Sequence, residues 1–302
     1  VHTSRDLENE SLSTEQIVAK TVAQAEGAPG FETLYRESAD AWKRLWQEKD
    51  IIVDTDWEFE RQAIRYAIYN LTITVPRHDA RMNIGARGLQ GHGYNNHVFW
   101  DTEVYMLPHF IFTEPQAARK LLQYRYFGLA GARQKAKDCG YTGAMYPWEA
   151  AWMTDVECCP AFAETGRYEH HITGDVVQAI FYYTAATGDR TFLEKYGYEI
   201  IFSTAKYWTS RVHYNEALDR YEILDTIGPD ENREHIDNNA FTNYIAYLNL
   251  DYAVRCYDAL AQQNPDRLNE LLARSEAQGM RAEFEKVRDK LYLPRENEDG
   301  IV

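Results

Sequence analysis

Long apolar runs are missing from this sequence. No stretch approaches the ~18 consecutive apolar residues that a membrane-spanning helix needs, and the first residues, VHTSRDLENE, lack the apolar centre of a secretory signal. Cysteine is scarce: Cys139, Cys158, Cys159 and Cys256 include no C-x-x-C pair, so neither a disulfide framework nor a zinc site is indicated. Adjacent Cys158 and Cys159 have poor geometry for pairing with each other and read as structural. These features together lead us to expect a cytoplasmic protein. Positive charge is in deficit, with 32 Lys and Arg against 47 Asp and Glu and a net charge of -15. Nucleic acid and anionic membrane would both be repelled, which leaves a neutral small molecule as the easier partner.

What is present is average for a folded chain of 302 residues, 45% hydrophobic and 26% charged. Aromatics reach 14%, with 22 Tyr and 7 Trp; such rings suit either a polar pocket with flat walls or a Tyr-rich helical core. Helical periodicity recurs over 31–47, 56–75, 174–187, 198–212, 239–263 and 264–293. Its clearest instance is 113–139, where Thr113 and Gln116 form a capping-box pattern, Ala118, Leu121, Leu122, Tyr126, Leu129 and Ala130 share a face, and Gly140 follows as a cap. Pro76 and Gly188 end two of these segments, and Asp189 caps the next. Only Tyr221 to Ile227 reads as a strand. Helix after helix with so little β pattern predicts an all-α stack or toroid rather than a doubly wound sheet, and no fixed-period repeat points to a solenoid.

The chemistry is concentrated in three loops: RGLQGHGYNNHVFWDTE from Arg87, GYTGAMYPWEAAWMTDVECCP from Gly140, and TIGPDENREHIDNN from Thr226. In a toroid of helix pairs, alternate connections reach one rim, so the three can converge on one concave site. Trp100 beside Asp101 and Trp148 beside Glu149 pair an indole with a carboxylate, the combination that sugar recognition needs; the plain alternative is a core Trp whose acidic neighbour faces water. The acids and amides of the third loop read either as a solvated bend or as a carboxylate presented to a substrate. His92, His97 and His109 match no helical metal-ligand spacing, the glycines of GLQGHG do not make a P-loop, and the Asn70-Leu71-Thr72 triplet sits in an apolar helix, where chance explains it.

These three blocks, in this order, resemble glycoside hydrolase family 65, which comprises maltose, kojibiose, nigerose, trehalose and glucosylglycerol phosphorylases and acid trehalases. NIGARGLQGHGYNNHVFWDTEVYMLP, YPWEAAW and GPDENREHIDNNAFTNY carry the resemblance, which extends from about Trp42 through Leu250. It implies an (α/α)6 barrel present in part, with residues 1–50 as a linker region and 51–302 as a catalytic barrel incomplete at its C-terminal end. It also implies that Glu231 is the general acid and that Trp100, Asp101, Trp148, Glu149 and Arg87 hold the glucosyl ring. Trp152, Asn232 and Arg233 depart from the family pattern on the acceptor side, which leads us to expect a small polyol such as glycerol, or an unusual sugar. The reaction implied is inverting phosphorolysis of an α-glucoside to β-glucose 1-phosphate, with inorganic phosphate as co-substrate, no cofactor and no metal, by a homodimer. The family's Lys-Gln sugar-binding pair and phosphate site fall after Val302. A hydrolase of trehalase type and a noncatalytic sugar-binding module are the alternatives. A general acid must hold its proton near neutral pH, so Glu231 is expected to be partly buried beside other carboxylates such as Asp230 or Glu234.

Overall fold

The computed structural model describes residues 2–4, 6–91, 93–151, 156–296 and 298–300. The chain divides into two units, Val1–Thr72 and Ile73–Val302. In the first, α1 (Thr14–Glu26) starts on a capping box between Ser13 and Gln16. Only Ile17 of this helix is buried, so the cap rather than an apolar stripe sets its start. Helix α2 (Phe31–Lys49) buries no residue, but its Trp42 ring stacks on Trp46 at 5.7 Å and lies 4.9 Å from Tyr69 of α3 (Glu58–Thr74).

The regular structure of the second unit is mainly helical. A π-helical turn, Thr102–Met106, runs without a break into α4 (Leu107–Thr113), followed by α5 (Pro115–Phe127) and α6 (Leu129–Asp138). The segment read as one helix over 113–139 is therefore two, because Gly128 ends α5, its N–H bonding to the Tyr124 carbonyl, and begins α6. The capping-box reading also fails: Thr113 donates its hydroxyl back to the His109 carbonyl at 2.7 Å, and Glu114 holds the cap position but makes no side-chain capping bond, its carboxylate accepting from Arg77 instead.

Short α7 (Thr165–Tyr168) leads to α8 (Ile172–Thr187), which stops at left-handed Gly188. Asp189 caps α9 (Arg190–Phe192) by accepting from the Phe192 N–H. After α10 (Tyr198–Arg211), strands β1 (His213–Asn215) and β2 (Arg220–Glu222) pair antiparallel. The expected strand over 221–227 is thus β2 plus two bridging residues, Thr226 and Ile227. Helix α11 (Ala240–Gln263) follows, and the predicted helix over 264–293 splits into α12 (Pro265–Arg274) and α13 (Arg281–Lys290).

Core formation explains this arrangement. Helix α8 carries one acidic residue, Asp175, in an otherwise apolar or neutral sequence, and it is buried on most sides, as such a helix must be. Helix α11 packs on α8, α10 and α13, and α5 packs on α4 and α8. Val176, Ile180, Ile200, Phe202, Trp208, Ala246 and Leu250 are fully buried between them.

One charged pair lies inside this core. Arg125 of α5 donates to Glu103 through Nε at 2.8 Å and Nη2 at 2.9 Å, with side chains 0% and 1% exposed, and Nη2 also reaches the Phe99 carbonyl at 3.1 Å. The fork ties the segment Phe99 to Glu103 to α5. Replacing Arg125 by Met leaves the Glu103 charge stranded, so unfolding free energy should fall by about 3–5 kcal/mol in urea titrations. The double variant with Glu103→Gln should recover much of that loss, and a single-variant loss below about 1 kcal/mol would show that the pair does not hold the segment.

Candidate active site

Two of the three loops are joined by backbone. Val98 and Ala150 exchange both bonds of an antiparallel bridge, at 2.7 and 2.9 Å, and Ala150 bridges on to Glu157. This places Trp100–Asp101 and Trp148–Glu149 on neighbouring strands of chain. The Phe99 ring meets Trp148 edge-on at 5.7 Å, and His97 Nδ1 lies 2.6 Å from Glu149 Oε1, so His97 is committed to orienting a carboxylate. The π-helical turn begins directly after Asp101, at the kind of backbone irregularity that functional sites often use.

The third loop is held at both ends. Ile227 donates to the Tyr168 carbonyl at 3.0 Å and pairs in parallel with Glu169, while Thr226 and Ile236 exchange bonds at 2.9 Å each. Asn238 takes the Ile223 N–H on its side chain at 3.1 Å and gives its own N–H to the Ile223 carbonyl at 2.7 Å. Asn239 caps α11 by accepting from Thr242 at 2.9 Å. Gly228 lies so close to the Asn239 amide that a Cβ there would stand 2.3 Å from its nitrogen, which is why this turn needs glycine. The amides of Asn238 and Asn239 are therefore struts, and the turn carries Glu231 at its tip.

Between the loops lies a line of ionisable groups that sequence reasoning did not single out. His171 Nδ1 is 2.6 Å from Asp175 Oδ2, and His171 Nε2 is 3.0 Å from Glu169 Oε1; all three side chains are fully buried. Trp100 meets the His171 ring edge-on at 4.6 Å, Phe241 at 5.2 Å and Trp148 at 6.0 Å. Glu169 Oε2 is buried without a hydrogen-bond partner. Burial pushes Glu169 up to about 7 against the hydrogen bond and charge of His171, and the like charge of Glu231 adds to the rise. Burial pulls His171 down, but the charge and hydrogen bond of Asp175, then those of Glu169, outweigh it and carry His171 up to about 9. Burial also raises Asp175, and it raises half-buried Asp101 with a contribution from Glu103.

The sequence-derived site residues thus fall into groups. Trp100, Trp148 and Glu149 line one wall, with Trp148 and Glu149 only 7% and 8% exposed. Glu231 is exposed, so the partial burial expected of it is not found, and the buried carboxyl beside it is Glu169. Asn232 bonds to Asp230 through N–H and amide at 3.2 and 3.1 Å, and Arg233 is exposed. Arg87 is exposed and lies over the Tyr94 ring at 5.5 Å. Trp152 and His92 lie outside the described residues. The signal for the missed line was present in EHHITGD: three ionisable residues at 169, 171 and 175 at the entry to an apolar helix.

The two raised groups bear on stability in the same direction. His171, raised from 6.5 to about 9, contributes stability that is complete below pH 6.5 and lost as pH rises through 9. Glu169, raised from 4.5 to about 7, disfavours the fold increasingly as pH climbs through that range. The urea midpoint should therefore decline between pH 6.5 and 9, and His171→Asn should lower the midpoint at pH 6 while flattening the decline. An unchanged slope in the variant would remove His171 as its source.

The sequence and the fold have recognisable counterparts. The family model described as the glycosyl hydrolase family 65 central catalytic domain matches residues 65–302. A kojibiose phosphorylase of Halothermothrix orenii is 43% identical over 319 aligned positions, covering 100% of this chain and 41% of that protein. A kojibiose hydrolase of Flavobacterium johnsoniae is 42% identical over 231 positions, covering 76% of this chain and 33% of that protein. The chain spans about two fifths or less of the length of these relatives. A solved structure provisionally described as a kojibiose phosphorylase from the human microbiome superposes with a TM-score of 0.83 at 24% identity, over 96% of this chain and 40% of that one. The helical architecture is accordingly part of an (α/α)6 barrel. By sequence and by fold, the chain belongs to glycosyl hydrolase family 65, within its central catalytic domain.

Proposed function

We propose that this chain supplies the glucosyl-binding wall and the proton donor of an inverting α-glucoside phosphorylase. The observation that carries the reading is the convergence of Trp100, Trp148 and the turn bearing Glu231 on the buried His171–Glu169 line. The indoles offer apolar surface to the C–H faces of a pyranose, and Asp101 and Glu149 accept from its hydroxyls. Glu231, exposed on a turn tied at both ends, gives its proton to the departing oxygen while phosphate attacks the anomeric carbon from the opposite face. The glycosidic C–O bond breaks, and the products are β-glucose 1-phosphate and the free acceptor.

Phosphate is already a nucleophile, so this chemistry needs one carboxyl group where an inverting hydrolase needs two. The relative named as a kojibiose hydrolase makes hydrolysis the second reading. Cleavage of kojibiose by the intact protein with and without phosphate separates the two, and dependence on phosphate is the expected result. The acceptor expected from the sequence was a small polyol or an unusual sugar; the 43% identity to a kojibiose phosphorylase favours a hexose instead, and Arg233 is the residue we place beside it. In reverse synthesis from β-glucose 1-phosphate, glucose should outcompete glycerol; a preference for glycerol would return the assignment to a polyol glucoside.

The proton donor is testable by itself. Glu231→Gln should reduce kcat for the natural glucoside by a factor of ~10² to 10⁴ while leaving the fold intact. Glucosides with good leaving groups, which need little protonation, should be largely spared. A wild-type rate on the natural glucoside would exclude Glu231 as the acid.

A further inference from the structure

Glu157 lies outside the constellation described above, yet every contact of its carboxylate leads into it. Oε1 accepts from the N–H of Glu149 at 3.1 Å and of Cys159 at 3.0 Å. Oε2 accepts from the N–H of Trp148 at 2.9 Å and from Lys135 Nζ at 2.5 Å. Lys135 projects from α6, is 7% exposed, and also reaches the Tyr146 carbonyl at 3.5 Å, so its ammonium is fixed between two parts of the same loop. Backbone bonds bring Glu157 to this place: it bridges to Ala150, and the Cys158 N–H donates to the Glu149 carbonyl at 2.8 Å. Gly166 closes the far side, where a Cβ would stand 2.7 Å from Cys159 Cβ and 3.1 Å from Glu157 Cδ.

Among the described residues, four donors and no acceptor bond to this carboxyl group. That environment suits a group with two acceptor oxygens: an amide would turn its NH2 toward either two backbone N–H groups or the Trp148 N–H and Lys135. The two N–H groups it binds within the loop belong to the residues whose side chains form one wall of the sugar site. An indole and a carboxylate aimed at a sugar must be held within a fraction of an ångström to be useful, and a loop can do so only through such supports.

We propose that the Lys135–Glu157 pair is a clamp on the YPWE loop and that Glu157 is a positioning residue for glucosyl recognition, acting through Trp148 and Glu149. The proposal rests on the functional reading given above for its kinetic consequence, although the clamp itself is a matter of geometry. It predicts that Glu157→Gln, despite its near-identical shape, behaves as a loss of function rather than as a conservative change.

The test is a double-mutant cycle in the intact protein, with a readout at each end. Glu157→Gln should raise KM for the glucoside about tenfold or more and leave KM for phosphate within about twofold. In a Trp148→Ala, Glu149→Ala background the same change should alter kcat/KM by less than about threefold, because both of its routes to the sugar have been removed. Hydrogen exchange at the Trp148 and Glu149 amides should be slow in the wild type and about tenfold or more faster in Glu157→Gln. Wild-type KM, multiplicative losses in the cycle, or an equal rise in both KM values would each overturn the proposal, as would unchanged amide exchange. If Glu157→Gln does not fold, Lys135→Met, which keeps the three backbone contacts, is read in the same cycle and should shift the glucoside KM in the same direction. If the wild type cleaves no α-glucoside, the functional reading fails while amide exchange still decides the clamp.

Discussion

The arrangement depends on one constraint: three ionisable side chains, Glu169, His171 and Asp175, are buried in a row and must satisfy one another. Each is costly to bury alone, and in a low-dielectric interior the penalty for a misplaced partner is larger than at a surface. The two carboxyl groups therefore fix the imidazole from both sides, at 3.0 and 2.6 Å. A ring fixed in this way is a rigid surface, and Trp100, Trp148 and Phe241 are ordered against it. The same residues tie helices to loops, since Asp175 belongs to α8 and Glu169 is paired by its backbone to Ile227, four positions before Glu231. Core packing and site geometry are consequently one problem in this chain.

A second theme is that the candidate site residues sit on loops, and polar side chains hold those loops in place. Arg125 with Glu103 stands behind Trp100 and Asp101, Lys135 with Glu157 stands behind Trp148 and Glu149, and the Asn238 and Asn239 amides stand behind the Glu231 turn. Loops can adopt many conformations, and apolar packing alone fixes their direction poorly. Charge-assisted hydrogen bonds are short and directional, so they select one conformation where burial would accept several. Two of the three loops carry such a charged device, and the turn that bears Glu231 is held by neutral amides instead.

Much of this was legible in the sequence, and the limits of that reading have physical causes. Periodicity located the helices because one apolar face recurs every three to four residues, but it ran through Gly128 and through the break between α12 and α13, where hydrogen bonding changes without a change in pattern. Helix α1, with Ile17 as its one buried residue, offered no pattern to detect. At the site, the indole–carboxylate pairs and GPDE were recognisable from residue type. The burial of Glu231 was not a local property and was misjudged, since exposure depends on what the rest of the fold places over a turn. Glu169, His171 and Asp175 were overlooked because a charged residue at a helix entry reads as solvated until the packing of α8 is known.

By itself, then, the amino-acid sequence determined the helical class, the three chemistry-bearing loops and the residue types that suit a sugar, because propensity, periodicity and side-chain chemistry act over a few residues. Tertiary structure alone decided which carboxyl groups are buried, which are shared with His97, His171 or Lys135, and which one is left facing outward. Those outcomes depend on contacts between segments distant in sequence, such as Val98 with Ala150 and Glu169 with Ile227. A carboxylate acquires its protonation and its aim from the dielectric and the donors around it, and these exist only once the chain has folded.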